Sequence, residues 1–551
     1  MKKIPSLSVS FLNLKIHKDA MLRTLTFIAL LVFLSPSVSF AQEGESAAEP
    51  QEEKVIASGN MQRADNLFFD ENYKEARLEY ELVLEKRPED TRVNYNLGLC
   101  YLNSDYEKVK AIPYFEKVVF YDDEAATVHY LMGKAYQADM RFDRAIEQFN
   151  LFIEYSSAGD DFTIEDAEVE IEYCENAYQL IKFPKSCTYE NLGEHINSPY
   201  PDYFPFVTID ESFLVYTSKR DDGSKKLPDG TFASNIYYSN VVDGDYSDGV
   251  HMPGAANDPG ESEVVIGMAL DGKNMLLMKG LERITGDIFE AEFANGSLEN
   301  VAKLGERINS PKSREIAASY GEDRNSIFFV SDREGGYGGT DIWIVKKLPT
   351  GVWGKPYNAG DGVNTERDED FPNLSPDGKS LFFSSKGHFS MGGFDIFESK
   401  WDLDSNKFSA PRNLGYPVNS VDDDMNYRQS MSGRYGYISA LRPEGFGDYD
   451  IYRLTIADVD PEFSVLRGVL STDNGSLDNS AITVNGVRGT EFLGTYTPNQ
   501  SSQRFVVILP PGEFDVLVTA DGKKPVAFEV KILGKSSFQP EIVRDINMED
   551  E

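Results

Sequence analysis

Five acidic residues recur at one place in a repeat. Aligning the chain on Asn197, Asn257, Asn309, Asn364 and Asn419 brings Asp202, Glu263, Glu315, Asp370 and Asp424 into register at offsets of 5, 6, 6, 6 and 5. In a closed ring of repeats, equivalent positions encircle a central channel, and Glu369, Asp422 and Asp423 would deepen its negative field. Such a rim of carboxylates would bind a basic peptide tail or a hard cation such as Ca2+. The other reading makes them turn and strand-entry residues, solvated or accepting hydrogen bonds from backbone N–H groups.

Other chemistry is hard to find. There is no GxSxG elbow, no HExxH and no phosphate-binding loop ending in Lys and Ser or Thr. The five histidines, His17, His129, His195, His251 and His388, fall in no nucleophile or metal constellation, so no catalytic residue, cofactor or metal is expected. The Gly335–Gly339 loop resembles a phosphate cradle only superficially. A similar loop at Met391–Gly393 also precedes an Asp-Ile-aromatic strand, which makes both blade hairpins.

The repeats themselves are short strands bounded by turn signals. Third strands begin at Asn235, Asp287, Asp341, Asp395 and Asp450, at steps of 52, 54, 54 and 55, each followed by Ile and an aromatic residue. Second strands are Phe213–Ser218, Met275–Lys279, Ile327–Ser331, Leu381–Ser385 and Tyr435–Ser439. A four-stranded unit of ~50 residues repeated radially predicts a β-propeller over 186–460. The expected number of blades is five, with six as the alternative count. Thr188–Gly193 lies ahead of the first unit and matches the stretch before the fifth, so it is expected to complete the last blade.

Upstream, the period changes. Ala76, Ala111 and Ala145 are 35 and 34 apart, Gly98 and Gly133 are 35 apart, and Tyr80, Phe115 and Phe149 keep the same step. Small residues at that period predict packed helix pairs, an α-solenoid over 55–183, with a capping helix near 164–182. His129 falls at a packing position of this array. Downstream, alternating runs from Arg467 to Gly522 predict a small β-sandwich over 463–547. The expected fold class is therefore multidomain, α plus all-β.

The N-terminus reads as an export signal. An apolar run after Met21 ends at Pro36, and Ser39-Phe40-Ala41 supplies a small-residue cleavage site before Gln42. Residues 1–41 are thus expected to be a signal peptide and 42–54 an acidic leader, with either Met1 or Met21 as the start. No later run approaches the ~20 apolar residues of a membrane span. A net charge of −37, from 54 basic and 91 acidic residues, argues against nucleic acid and anionic lipid as partners. Three cysteines are too few for a disulfide framework, although one Cys174–Cys187 bridge fits the count.

These residues carry family likenesses. Phe371–Ser385 and Ser331–Trp343 resemble the WD40-like (PD40), TolB-type propeller repeats of Gram-negative envelopes. Asn94–Tyr101, His129–Tyr136 and Tyr73–Tyr80 resemble tetratricopeptide helices, and the Leu509–Phe514 turn resembles the carboxypeptidase regulatory-like, transthyretin-like sandwich. The order of the three modules resembles the PorE-like envelope proteins of type IX secretion. Those proteins continue into an OmpA-like domain that this sequence does not carry after the sandwich, so peptidoglycan anchoring is not implied. What the resemblance implies is a non-catalytic periplasmic or outer-membrane-associated scaffold whose partners are envelope or secretion-system proteins. The alternative is a glycan- or metal-binding module that uses the propeller channel.

Overall fold

The computed structural model describes residues 51–551, apart from 104–106, 209–210, 243, 255–256, 258–260, 281–285, 295, 322–323, 403–406, 431–434, 443, 457–463, 474, 488–491, 499–502, 511 and 533–540. The expected signal peptide and most of the acidic leader lie outside the described residues. Among the described residues, no helix is long and apolar enough to cross a membrane.

Among the described residues seven α-helices come first: α1 (Gln51–Phe69), α2 (Tyr73–Lys86), α3 (Thr91–Leu102), α4 (Ile112–Tyr121), α5 (Ala126–Ala138), α6 (Phe142–Tyr155) and α7 (Ile164–Leu180). Three of their starts, those of α2, α3 and α7, are capped by short polar side chains. Asn72 and Asp90 accept the orphan N–H groups of Glu75 and Val93, and Thr163 with Asp166 forms a reciprocal capping box. The two glycines at the 35-residue step have a steric reason. A Cβ on Gly98 would lie 2.5 Å from the Phe115 ring, and one on Gly133 would lie 2.6 Å from the Phe149 ring. Each ring packs flat on the backbone of the preceding helix, which only glycine permits.

Five sheets follow between Cys187 and Ile456. Their innermost strands are Asp202–Val207, Ser262–Met268, Glu315–Tyr320, Glu369–Leu374 and Met425–Gln429, one each for blades one to five. Cys187–Asn191 pairs antiparallel with Asp450–Ile456, so the fifth blade is finished by the strand that precedes the first. The described residues thus form a closed five-bladed β-propeller. Every innermost strand carries a register shift that begins after its first, second or fourth residue, and Phe204, Phe371 and Asn426 adopt positive φ there. Such bulges re-aim side chains toward the channel.

The propeller has two unlike faces. Innermost strands begin at the entry face, where the loops between second and third strands also emerge; the tight turns after the innermost strands make the opposite, turn face. The helical array sits on the entry face over blade four, where Met391 joins the core of the helices together with Tyr416 and Val421.

The C-terminal region has two four-stranded sheets, one centred on Ser464–Ser471 and one ordered Phe492–Tyr496, Ala481–Gly486, Gly512–Thr519, Val526–Ile532. Leu466, Phe505 and Val507 from the first meet Ile482, Val484, Val516 and Val518 from the second in one apolar core. Cys100, Cys174 and Cys187 are free thiols, so the bridge suggested by count is not formed. Cys174 is buried among the helices, whereas Cys187 lies on the outer strand of blade five.

Candidate functional site

The connectors between blades are built on one asparagine each. Asn197, Asn257, Asn309, Asn364 and Asn419 bind both the N–H and the C=O of the isoleucine in the preceding blade's third strand: Ile451, Ile236, Ile288, Ile342 and Ile396. The ten bonds run from 2.8 to 3.1 Å. A side-chain amide matches a peptide group donor for acceptor, so each asparagine acts as one rung of a strand. Asn197 clamps blade one to blade five, which makes it the polar seal of the ring. These asparagines mark the repeat in the sequence, and the Ile-aromatic pair that opens each third strand signals their role.

The carboxylates come next along the chain, and their placement differs from an open rim. Asp202, Glu263, Glu315, Asp370 and Asp424 are all 0–2% exposed. In blade one, Asp202 accepts the N–H and hydroxyl of Ser198 at 2.6 and 2.7 Å and pairs with Arg220 at 2.6 Å. In blade three, Glu315 accepts the Ser310 N–H at 3.0 Å, the Ser331 hydroxyl at 2.7 Å and Arg333 at 3.0 Å. Blade five repeats this with Ser420, Asp424 and, at 3.9 Å, Arg442. In blade two, Lys279 stands 3.5 Å from Glu263.

Blade four departs from the register read in the sequence. Glu369, not Asp370, accepts the N–H and hydroxyl of Thr365, both at 2.7 Å. Asp370 lies one residue further, on the other side of the strand, and accepts the N–H of Phe371 at 2.7 Å. Two adjacent acids satisfy a residue count equally well. A hydroxyl residue directly follows Asn197, Asn309, Asn364 and Asn419, four or five residues ahead of the acid, a spacing that fits Glu369 and Asp370 equally.

Burial governs the electrostatics. Loss of water raises the Asp202 and Glu315 carboxyls above the ordinary range despite their arginines, and raises Asp424 to about 7. Glu369 goes furthest, to about 8, because burial acts there without an arginine and the Asp341 charge adds to it. Among the described residues, no three His, Cys, Asp or Glu side chains are arranged to hold a metal ion. His129 is held at both ring nitrogens, by Gln148 at 2.8 Å and the Asp123 carbonyl at 2.9 Å.

The channel is filled by side chains. Phe204 of blade one and Phe371 of blade four meet across the axis, with ring centroids 5.3 Å apart. Below them Arg428 of blade five crosses toward the Ile266 carbonyl of blade two and lies 4.1 Å over the Phe206 ring of blade one. Beyond, at the turn face, is a cavity of about 40 Å3 lined by residues that include Phe206, Ser319, Asn373 and Arg324. That is room for a water molecule or a small ion, not for a sugar ring.

No family model matches this chain, and no curated protein matches it. Solved structures with some likeness include a protein described as TolB from Agrobacterium tumefaciens, 17% identical, covering 46% of this chain and 73% of that one, with a TM-score of 0.27. A glycoside hydrolase is 10% identical over 52% of this chain and 97% of its own, with a TM-score of 0.36. An oligogalacturonate lyase in complex with manganese is 11% identical over 50% and 96%, with a TM-score of 0.28. At these scores the likenesses carry no argument, and the propeller rests on the strand pairing of this chain.

Proposed function

We propose that the chain is a non-catalytic scaffold of the bacterial envelope, periplasmic or associated with the outer membrane, that holds protein partners on its helical array and propeller. The observation that carries this reading is how the recurring polar groups are used. The asparagines, carboxylates and arginines of the blades are consumed in clamps and strand-entry caps, which makes a rigid support. The helical array, read as tetratricopeptide repeats, is fixed to that support by side chains of α7. The C-terminal region, read as a carboxypeptidase regulatory-like, transthyretin-like sandwich, serves as a spacer. A type IX secretion or related assembly is the setting this module order suggests.

An accessible contact point lies at the end of α4. Phe120 is 82% exposed and stacks edge-on against Tyr121, itself exposed. The test is crosslinking of the tagged full-length chain in its own bacterium, followed by identification of captured partners. The expected result is recovery of the same outer-membrane or secretion-machine components each time, reduced at least several-fold by Phe120→Asp and unchanged by an exposed substitution on blade two such as Glu299→Gln. Capture of no protein by the unaltered chain would end the scaffold reading.

A further inference from the structure

Blades three, four and five build the loop between their second and third strands in one way. Tyr337, Met391 and Phe446 each stand four residues ahead of the aspartate that opens the third strand. The backbone N–H of each donates to that aspartate, at 2.6 Å to Asp341, 2.9 Å to Asp395 and 2.7 Å to Asp450. A glycine follows each tip. A Cβ on Gly338, Gly392 or Gly447 would lie 2.3, 2.6 or 2.9 Å from the backbone of Glu366, Val421 or Pro199, in the connector to the next blade. The aspartate and the glycine thus hold the loop, and the side chain at its tip is not needed to build it.

The three tips meet different surroundings. In blade four Met391 is fully buried in the apolar core of the helices, and Val421 packs against the same core. Helix α7 completes that corner with two donors, the Tyr173 hydroxyl to the Lys386 carbonyl and the Asn176 amide to the Ser390 carbonyl. The equivalent Tyr337 and Phe446 are 51% and 42% exposed. The connector residue at the corner is the polar Glu366 in blade three and the apolar Pro199 in blade five, both exposed. One exposed ring says little by itself. Its equivalence to a residue that a helix covers is what points to an occupant, and the blade-five corner is the closer match in chemistry to Met391 with Val421.

We propose that the blade-five corner, Phe446 with Pro199, docks an amphipathic α-helix of a protein partner in the way the blade-four corner docks α7. The proposal deepens the scaffold reading and rests on it. The partner helix would lay an apolar stripe on Phe446 and turn a phenol or amide donor toward the loop carbonyls, the contacts that α7 makes in blade four. Glu444, two residues ahead of Phe446 and exposed, favours a Lys or Arg on the flank of that helix.

The test places the photoreactive p-benzoylphenylalanine at position 446 of the full-length chain in its own bacterium, and at position 120, the exposed ring at the end of α4, in a second strain. Irradiation should join position 446 to one protein, at a residue on the apolar face of an amphipathic helix. A synthetic peptide of that helix should bind the purified full-length chain saturably. Phe446→Ser should weaken this binding about ten-fold, and Phe446→Met, which copies blade four, should keep most of it. Because the ring is exposed, neither substitution should move the thermal midpoint. A crosslink at position 120 with none at 446 would overturn the docking proposal and leave the scaffold reading standing; no crosslink at either position would end both. A joined residue in a strand, in a loop or in another copy of this chain would also overturn it, as would a helix peptide that binds Phe446→Ser as tightly as the parent.

Discussion

Blade four and blade three solve the same corner in opposite ways. Eighteen residues after the strand-entry acid, blades one, three and five carry Arg220, Arg333 and Arg442; blade four carries Gly387. In blade three the arginine binds Glu315 and also donates to the Ile308 carbonyl at 2.6 Å. In blade four that space is taken: a Cβ on Gly387 would lie 2.2 Å from the Thr365 hydroxyl. The helical array occupies the same loop from outside. Tyr173 of α7 donates to the Lys386 carbonyl at 2.5 Å and Asn176 to the Ser390 carbonyl at 2.9 Å. Arg367 reaches Glu172 at 3.2 Å, and Lys108 pairs with Asp422. In blade four, which gives up its arginine, another part of the chain covers the corner.

The largest expected effect breaks the complete corner. Arg333→Met leaves Glu315 buried without its cation, and loss of one partner of a buried pair costs about 3–5 kcal/mol. Denaturant unfolding should show that loss, and Glu315→Gln in the same chain should recover part of it. The next effect comes from forcing the blade-three solution on blade four. Gly387→Arg must displace Thr365 and press against α7, an overpacking cost of about 1–3 kcal/mol. Limited proteolysis between Phe183 and Cys187 should accelerate, while the isolated propeller with the same substitution should lose less.

How much of this the sequence disclosed depends on the residue. The asparagine spacing and the Asp-Ile-aromatic strands were enough for the blades, and Thr188–Gly193 was enough for the strand that closes them, because both are local patterns repeated at a fixed step. Of the two readings of the acids, strand-entry residues that accept backbone N–H groups agrees with the geometry, but neither the acid used in blade four nor the depth of burial was legible. Glu369 and Asp370 are indistinguishable by counting, and burial to 0–2% comes from the packing of the blades around the entry corner, with or without an arginine. The filling of the channel was not legible at all. It follows from bulges that turn Phe204 and Phe371 inward at positive φ, which no residue spacing records. The arginine spacing that leaves Gly387 as a gap becomes meaningful only with the corner and α7 in place.

A pH experiment sharpens the comparison further. With no arginine beside it, Glu369 is raised to about 8, so the folded chain holds a proton that the unfolded chain releases. This contribution is complete below the ordinary carboxyl range and is lost as pH rises from there through about 8. Glu369→Gln keeps the neutral form and removes that loss. Between pH 6 and 8, the stability of the variant relative to the parent should therefore rise, on the order of 1 kcal/mol per pH unit, and level off above pH 8. Asp424, raised to about 7, adds its own slope to both proteins and cancels in the difference.

The smallest effect tests whether blade four and the helices unfold as one body. Tyr173→Phe deletes only the hydroxyl that meets the Lys386 carbonyl and keeps the ring under the Arg367 guanidinium, 5.4 Å away. One neutral hydrogen bond is worth about 1 kcal/mol. If the array and blade four are a single cooperative unit, amide exchange should quicken by about the same factor in α7 and in the Ser380–Ser385 strand. If exchange quickens in α7 alone, the corner is a contact between independent bodies, and the missing arginine marks tolerance of a neighbour rather than dependence on it.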